Sequence, residues 1–210
     1  MGLAKMIPQV IAAVASAERL IELEALPRER EQHKLPEVLE VGIKLQGVSF
    51  SYKKDMPVLE KISANIKPGE IIGLIGPSGE GKTTLIRILL ALLKPEKGSI
   101  TLVTEDNKEY MVSADTREWI SYVPQGNTLF SGTIAENIKS GCREATEEEI
   151  KAAARAACAM EFINELPDGI NAKIGENGIG LSEGQAQRIS IARAILRKTP
   201  ILILDEATSA

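Results

Sequence analysis

Histidine and cysteine are scarce in this chain. His33 is the only histidine, and it lies in the charged stretch between Pro27 and Pro36, so neither a histidine-based triad nor a histidine zinc site can be assembled. Cys142 and Cys158 stand sixteen residues apart with no Cys or His cluster beside them, which removes a disulfide framework and a metal-ligand spacing alike. A reducing compartment, the cytosol, is the expected setting. Neither sign of charge dominates: 29 acidic residues face 25 basic ones, for a formal net charge of -4. There is no broad cationic field for a phosphodiester backbone, and nucleic acid is not an expected partner. No stretch reaches the roughly 18 uncharged apolar residues that a membrane span needs. Met1-Gly2 does not open a myristoylation signal, because Met6 stands where Ser or Thr is required. Internal repeats and low-complexity tracts are also missing.

What remains is enough for one α/β core and a short appendage, with 44% apolar residues in 210. The appendage comes first. Ile7, Val10, Val14, Ala17 and Ile21 recur at steps of three and four, the narrow seam of a helix that packs on other helices. The run through Ala15-Ser16-Ala17 superficially imitates a signal peptide, but the helical pattern continues past any cleavage site until Pro27. Residues 27-40 read as a linker, whose first part, 27-36, is two prolines bracketing charges.

Alternation over Ile43 to Tyr52 and over Val58 to Ser63 predicts half-exposed antiparallel strands, and Lys67-Pro68-Gly69-Glu70 predicts a turn. Ile71-Ile72-Gly73-Leu74-Ile75 reads as a buried strand. Lys94 to Gly98 is expected to end the helix that runs through Leu85 to Leu90, and Ser99 to Val103 with Lys108 to Val112 to form a hairpin. A strand at Trp119 to Val123 is expected to stop at Pro124-Gln125. Thr133-x-x-Glu136 and Thr146-x-x-Glu149 are capping boxes that open helices, so the middle of the chain is mainly helical.

The most specific chemistry lies in Gly76-Pro77-Ser78-Gly79-Glu80-Gly81-Lys82-Thr83-Thr84, between the 71-75 strand and the helical run Leu85 to Leu90. Strand, glycine loop and helix together make a phosphate cradle. Glycines let the backbone turn its N–H groups inward, Lys82 reaches the terminal phosphates, and Thr83 offers a hydroxyl to Mg²⁺. A second element is Ile201-Leu202-Ile203-Leu204-Asp205-Glu206, a buried parallel strand with two carboxylates at its C-terminal end. Asp205 suits a hydrated Mg²⁺, and Glu206 suits orienting and deprotonating an attacking water. Third, Ser182 and Gln185 in Leu181-Ser182-Glu183-Gly184-Gln185 have N-cap and N3 spacing. That marks a helix N-terminus, a place that attracts phosphate, without saying whose.

The ordered set of Tyr52, the glycine loop, Gln125, LSEGQ and ILILDE resembles the nucleotide-binding domain of an ATP-binding cassette transporter, over residues 41 to 210. The stretch from Leu129 to Ile138 after Val123-Pro124-Gln125 is similar to the exporter branch. The resemblance implies an α/β fold: a P-loop NTPase core with a small antiparallel β subdomain and a helical subdomain at about 133-185, preceded by a short N-terminal helix. Residues 1-26 would be the cytoplasmic end of a transmembrane-domain helix, and the cassette would work at the cytoplasmic face of a membrane. ATP and Mg²⁺ are the implied cofactors. The implied partners are a second cassette, identical or not, and the transmembrane domain.

Position by position, the resemblance has Tyr52 stack on adenine, a contact typically worth about 1–3 kcal/mol. Gln125 would contact Mg²⁺ and the attacking water. Ser182, Gly184 and Gln185 would bind the γ-phosphate held by a partner cassette, and Gly175-Glu176-Asn177-Gly178 would touch the membrane domain. Two departures stand out. Glu183 replaces the family's usual glycine, and its carboxylate competes with phosphate for the positive end of the helix. The chain also ends at Ala210, before the family's next aspartate-bearing loop and its switch histidine, so a C-terminally truncated cassette of weak activity is expected. The alternatives are a soluble cassette ATPase of DNA repair or translation, and a nucleotide-binding module with degenerate hydrolysis.

Overall fold

The computed structural model describes residues 3–25, 35–54, 56–77, 79–126, 128–175 and 180–205. The chain divides into two compact units, residues 1–33 and 34–210. In the first, α1 (Leu3–Glu24) forms one continuous helix, and its last turn closes with an Ala25 N–H to Ile21 carbonyl bond of 3.0 Å. Val10, Val14 and Ile21 of the expected seam are exposed. Among the described residues no helix is long and apolar enough to cross a membrane. Pro27, His33 and most of the expected linker lie outside the described residues.

The second unit is built on a four-stranded antiparallel sheet of order β2-β1-β3-β4, with β1 at Val41–Lys53, β2 at Met56–Ile66, β3 at Lys97–Thr104 and β4 at Glu109–Met111. The expected antiparallel pair β1 and β2 and the expected hairpin of β3 and β4 are both present. Ile43 pairs with Ile66 on one side and Leu102 on the other, which places β1 at the sheet's centre. Gly98, at φ 80, passes so close to β1 that a Cβ there would meet the Gln46 carbonyl oxygen at 2.3 Å. Only a residue with no side chain and free access to positive φ fits.

Over one face of this sheet lies α2 (Lys82–Leu89). Ile88 is fully buried, and so is Leu102; removing such a side chain from water contributes roughly 1.5–3 kcal/mol. The helix stops at Leu89, several residues before the Lys94–Gly98 turn expected to end it, because Ala91 turns into the left-handed region at φ 51.

A second apolar cluster belongs to the helices α3 (Ile134–Lys139), α4 (Glu147–Ala156), α5 (Met160–Glu165) and α6 (Glu183–Leu196). The capping boxes at Thr133 and Thr146 are both formed. Two short strands, β6 (Gly132–Thr133) and β7 (Lys173–Ile174), tie the start of α3 to the chain beyond α5.

Between these two parts runs a parallel pair, β5 (Ile120–Val123) with β8 (Ile201–Leu204). Here the sequence expectation needs two corrections. Residues 71–75 form no strand, and Ile71 and Ile75 are 99% and 98% exposed. Likewise β8 is only half-buried, with Leu202 and Leu204 at 43% and 42%. A strand needs a hydrogen-bonding neighbour: among the described residues β8 is paired with β5 alone and 71–75 with no strand, and the side chains of both are left open to solvent.

Candidate functional site

The glycine loop is held open by its own geometry. Gly79 and Gly81 have φ values of 88 and 90. A Cβ at Gly81 would lie 2.9 Å from both Leu59 Cδ2 and Val58 Cγ1 of β2, so the turn into α2 is closed to any larger residue. Gly81 is also the N-cap of α2 and supplies no side-chain cap, whereas α3, α4 and α6 each begin with a complete capping box. The first N–H groups of α2 are therefore left for a ligand, at the positive end of the helix dipole. Lys82 Nζ donates to the carbonyls of Gly76 at 2.6 Å and Pro77 at 2.7 Å, and so spans the loop from within. Glu80 folds back over the same loop, its carboxylate 2.7 Å from where a Gly76 Cβ would stand. Thr83 is exposed and Thr84 buried. Ser78 lies outside the described residues.

Tyr52, near the end of β1, is 54% exposed. Its ring stands perpendicular to that of Phe50, with the ring centres 5.0 Å apart, its hydroxyl shares a 3.3 Å hydrogen bond with Thr84 Oγ1, and Arg87 Nη1 donates to it at 3.4 Å. The Thr84 bond, helped by the Arg87 bond and charge, lowers the hydroxyl's pKa. The ring is thus pinned beside the first turns of α2.

Asp205 extends the parallel pair by one step, its N–H donating to the Val123 carbonyl at 2.9 Å. It is buried, at 8% exposure, and among the described residues no Lys or Arg forms an ion pair with it. Tyr122 donates its hydroxyl to Asp205 Oδ2 at 3.1 Å. Burial, and then the bond and charge of Asp205, raise the Tyr122 pKa, which keeps that hydroxyl a donor at neutral pH. Arg87, the partner of Tyr52, also acts on Tyr122 through its charge. Gln125 follows two residues after β5 and is exposed. Glu206 lies outside the described residues.

The donor set of Thr83 hydroxyl, Gln125 amide and Asp205 carboxylate is all hard oxygen, the chemistry that suits Mg²⁺, and a buried carboxylate without a basic partner calls for a cation. Among the described residues no hydrogen bond joins Thr83 or Lys82 to Asp205.

At the start of α6 the Ser182 hydroxyl accepts from Gln185 N–H at 3.2 Å, and Gln185 Oε1 accepts from Ser182 N–H at 2.9 Å. The polar atoms expected to meet a partner's phosphate are here occupied in capping their own helix, with Gly184 between them and Glu183 in the first turn. Of the Gly175–Gly178 segment only Gly175 is described.

Two contributors were not legible in the sequence. Tyr122 reads as an ordinary strand aromatic. Arg193 reads as one more surface charge of α6, yet it donates to the Asn137 carbonyl at 2.8 Å, to Asn137 Oδ1 at 3.0 Å and to the Thr128 carbonyl at 3.1 Å, while lying 5.6 Å from the Phe130 ring centre. It locks the segment after Gln125 onto the helix that Ser182 opens. Only non-local folding brings these partners together.

The profile of the ABC transporter family matches residues 59–209. The chain belongs to the ABC transporter family, whose cassettes bind ATP. It is 44% identical over 203 residues to "ABC transporter B family member 29, chloroplastic" of Arabidopsis thaliana, covering 92% of this chain and 31% of that protein. It is 46% identical over 170 residues to the "ATP-dependent lipid A-core flippase" of Dechloromonas aromatica, covering 80% of this chain and 29% of the flippase. Among solved structures, a bacterial Atm1-family ABC exporter with ATP bound matches with a TM-score of 0.81 at 33% identity, over 97% of this chain and 36% of the exporter. The chain thus spans about a third of the length of the proteins it matches.

Proposed function

We propose that residues 41–210 are the ATP-binding and ATP-hydrolysing cassette of a membrane exporter, with residues 133–185 as its helical subdomain, 27–40 as a linker and 1–26 as the cytoplasmic end of a transmembrane-domain helix. The observation that carries this reading is the uncapped N-terminus of α2 behind a glycine loop spanned by Lys82. Backbone N–H groups and an ammonium converging on one small space suit the β- and γ-phosphates of a nucleotide. Tyr52 offers its face to the adenine. Thr83, Gln125 and Asp205 would hold Mg²⁺, which when bound offsets phosphate charge. Glu206 would take the proton of the attacking water, a role assigned to it by its place after Asp205 in the sequence.

Ser182, Gly184 and Gln185 would serve the nucleotide of a second cassette, head to tail with this one. To do so, Ser182 and Gln185 must release the mutual cap they now form. Exchanging two weak neutral hydrogen bonds for charge-assisted ones to phosphate favours that release. Export at the cytoplasmic face of a membrane is supported by the names of the similar proteins, a flippase and an exporter among them. These same names weigh against a soluble cassette of DNA repair or translation.

Calorimetric titration of the chain with MgATP tests the site. Wild type is expected to bind and Lys82→Ala to lose binding, while Glu206→Gln keeps it, because Lys82 touches ground-state phosphates and Glu206 acts on water. Equal affinity for wild type and Lys82→Ala would remove the assignment.

A further inference from the structure

The Asp205 carboxylate is held by a device that the motif around it does not contain. Parallel pairing sets Tyr122 of β5 opposite Ile203 of β8. Since side chains two apart on a strand share a face, Asp205 follows Ile203 onto the face that Tyr122 occupies. The tyrosine hydroxyl crosses to it and donates to Oδ2 at 3.1 Å. Backbone and side chain act together here, because the Asp205 N–H is fixed on the Val123 carbonyl at 2.9 Å by the same two strands.

A carboxylate on a strand end has a soft terminal torsion, and either oxygen can turn toward a ligand. Tyr122 removes that freedom: it engages one oxygen, sets the plane of the group, and leaves the other to other partners. Asp205 is buried and, among the described residues, forms no ion pair with a Lys or Arg, so the Tyr122 hydroxyl is the side-chain donor that holds it.

We propose that Tyr122 is a positioning residue for metal binding, orienting the Asp205 carboxylate toward the Mg²⁺ of a bound nucleotide. This rests on the reading of Asp205 as a Mg²⁺ residue given above. Groups that orient a ligating side chain typically change metal affinity about 10–100-fold when removed. Tyr122 contributes one neutral hydrogen bond, so the lower end of that range applies.

Tyr122→Phe deletes one oxygen and keeps the ring. ATP affinity is measured calorimetrically in EDTA, and Mn²⁺ affinity in the presence of saturating ATP is measured by electron paramagnetic resonance, for wild type, Tyr122→Phe, Asp205→Asn and the double variant. The expected result is ATP affinity in EDTA within about twofold of wild type for Tyr122→Phe, and Mn²⁺ affinity lower by about tenfold. In the Asp205→Asn background, Tyr122→Phe should add nothing. Unchanged Mn²⁺ affinity overturns the proposal, as does an equal loss with and without metal, which marks a merely structural tyrosine. A further loss in the double variant also overturns it, because Tyr122 would then act by another route. If wild type binds ATP in EDTA and Asp205→Asn leaves Mn²⁺ affinity untouched, the Mg²⁺ role of Asp205 fails first and carries the Tyr122 role with it.

Discussion

Tyr52 shows how one side chain can be fixed by one of its ends and work with another part. Its hydroxyl is held by Thr84 and Arg87 and its ring stands perpendicular to that of Phe50, while more than half of its surface is open. What it can offer a nucleotide is a face. Stacking on a π-face tolerates any purine, so ATP and GTP are expected to bind within about tenfold of each other, and Tyr52→Ala to weaken both by about 1–3 kcal/mol. Competition binding with a fluorescent nucleotide measures both quantities. A much larger preference for ATP would mean that base edges are read by groups other than Tyr52.

At the scale of elements, α4 shows how strongly a helix start is specified by its neighbours in sequence. Thr146 accepts from the Glu149 N–H at 3.3 Å, and the Glu149 carboxylate accepts from the Thr146 N–H at 3.0 Å. Thr146→Ala is expected to destabilise the fold by about 0.5–2 kcal/mol in thermal unfolding. Glu149 also reaches Lys198, beyond the end of α6, at 2.7 Å. That hydrogen bond, with those from Thr146, holds the Glu149 carboxyl down at about 2, against an ordinary 4.5. A carboxyl depressed in the folded state contributes stability that is fully present above its unfolded value and is lost as pH falls through its folded value. Glu149→Gln retains the capping box and removes the charge. Wild type should therefore be the more stable protein near neutral pH, with the difference fading between pH 4.5 and about 2 and shrinking in salt, since the pair is exposed. A difference that persists unchanged at pH 2 would show that the charge is not its source.

For the whole molecule, order is distributed unevenly around the nucleotide site. β1 is paired on both sides and packed on α2, whereas residues 71–77 approach the phosphate loop without a ladder. Hydrogen exchange should read this directly: amides in the middle of β1 exchange slowly, and those of 71–75 exchange at the earliest labelling time. MgATP is expected to slow exchange at 79–84, where N–H groups turn toward phosphate. Slow exchange at 71–75 in the nucleotide-free chain would mean that the segment has found a pairing partner. Ile71, Ile75, Leu202 and Leu204 are exposed apolar side chains, and among the described residues β8 has β5 alone as a neighbour; exposed apolar groups and an unpaired strand edge each favour association with other chains.

Features written in residues three or four apart were legible from sequence. The boxes at Thr133, Thr146 and Ser182 formed as read, because a side chain and an N–H within one helical turn need nothing from the rest of the protein. The hairpins and the α2 start were legible for the same reason, through alternation and glycine placement. The segment 71–75 has the apolar pattern of a strand, but a strand is completed by distant residues, and pattern alone cannot supply them. The pairing of Tyr122 with Asp205 and the grip of Arg193 on Thr128 and Asn137 span 83, 65 and 56 positions. Contacts of that separation leave no local trace, so sequence by itself determined the chemistry this chain carries, and tertiary structure decided which groups hold it in place.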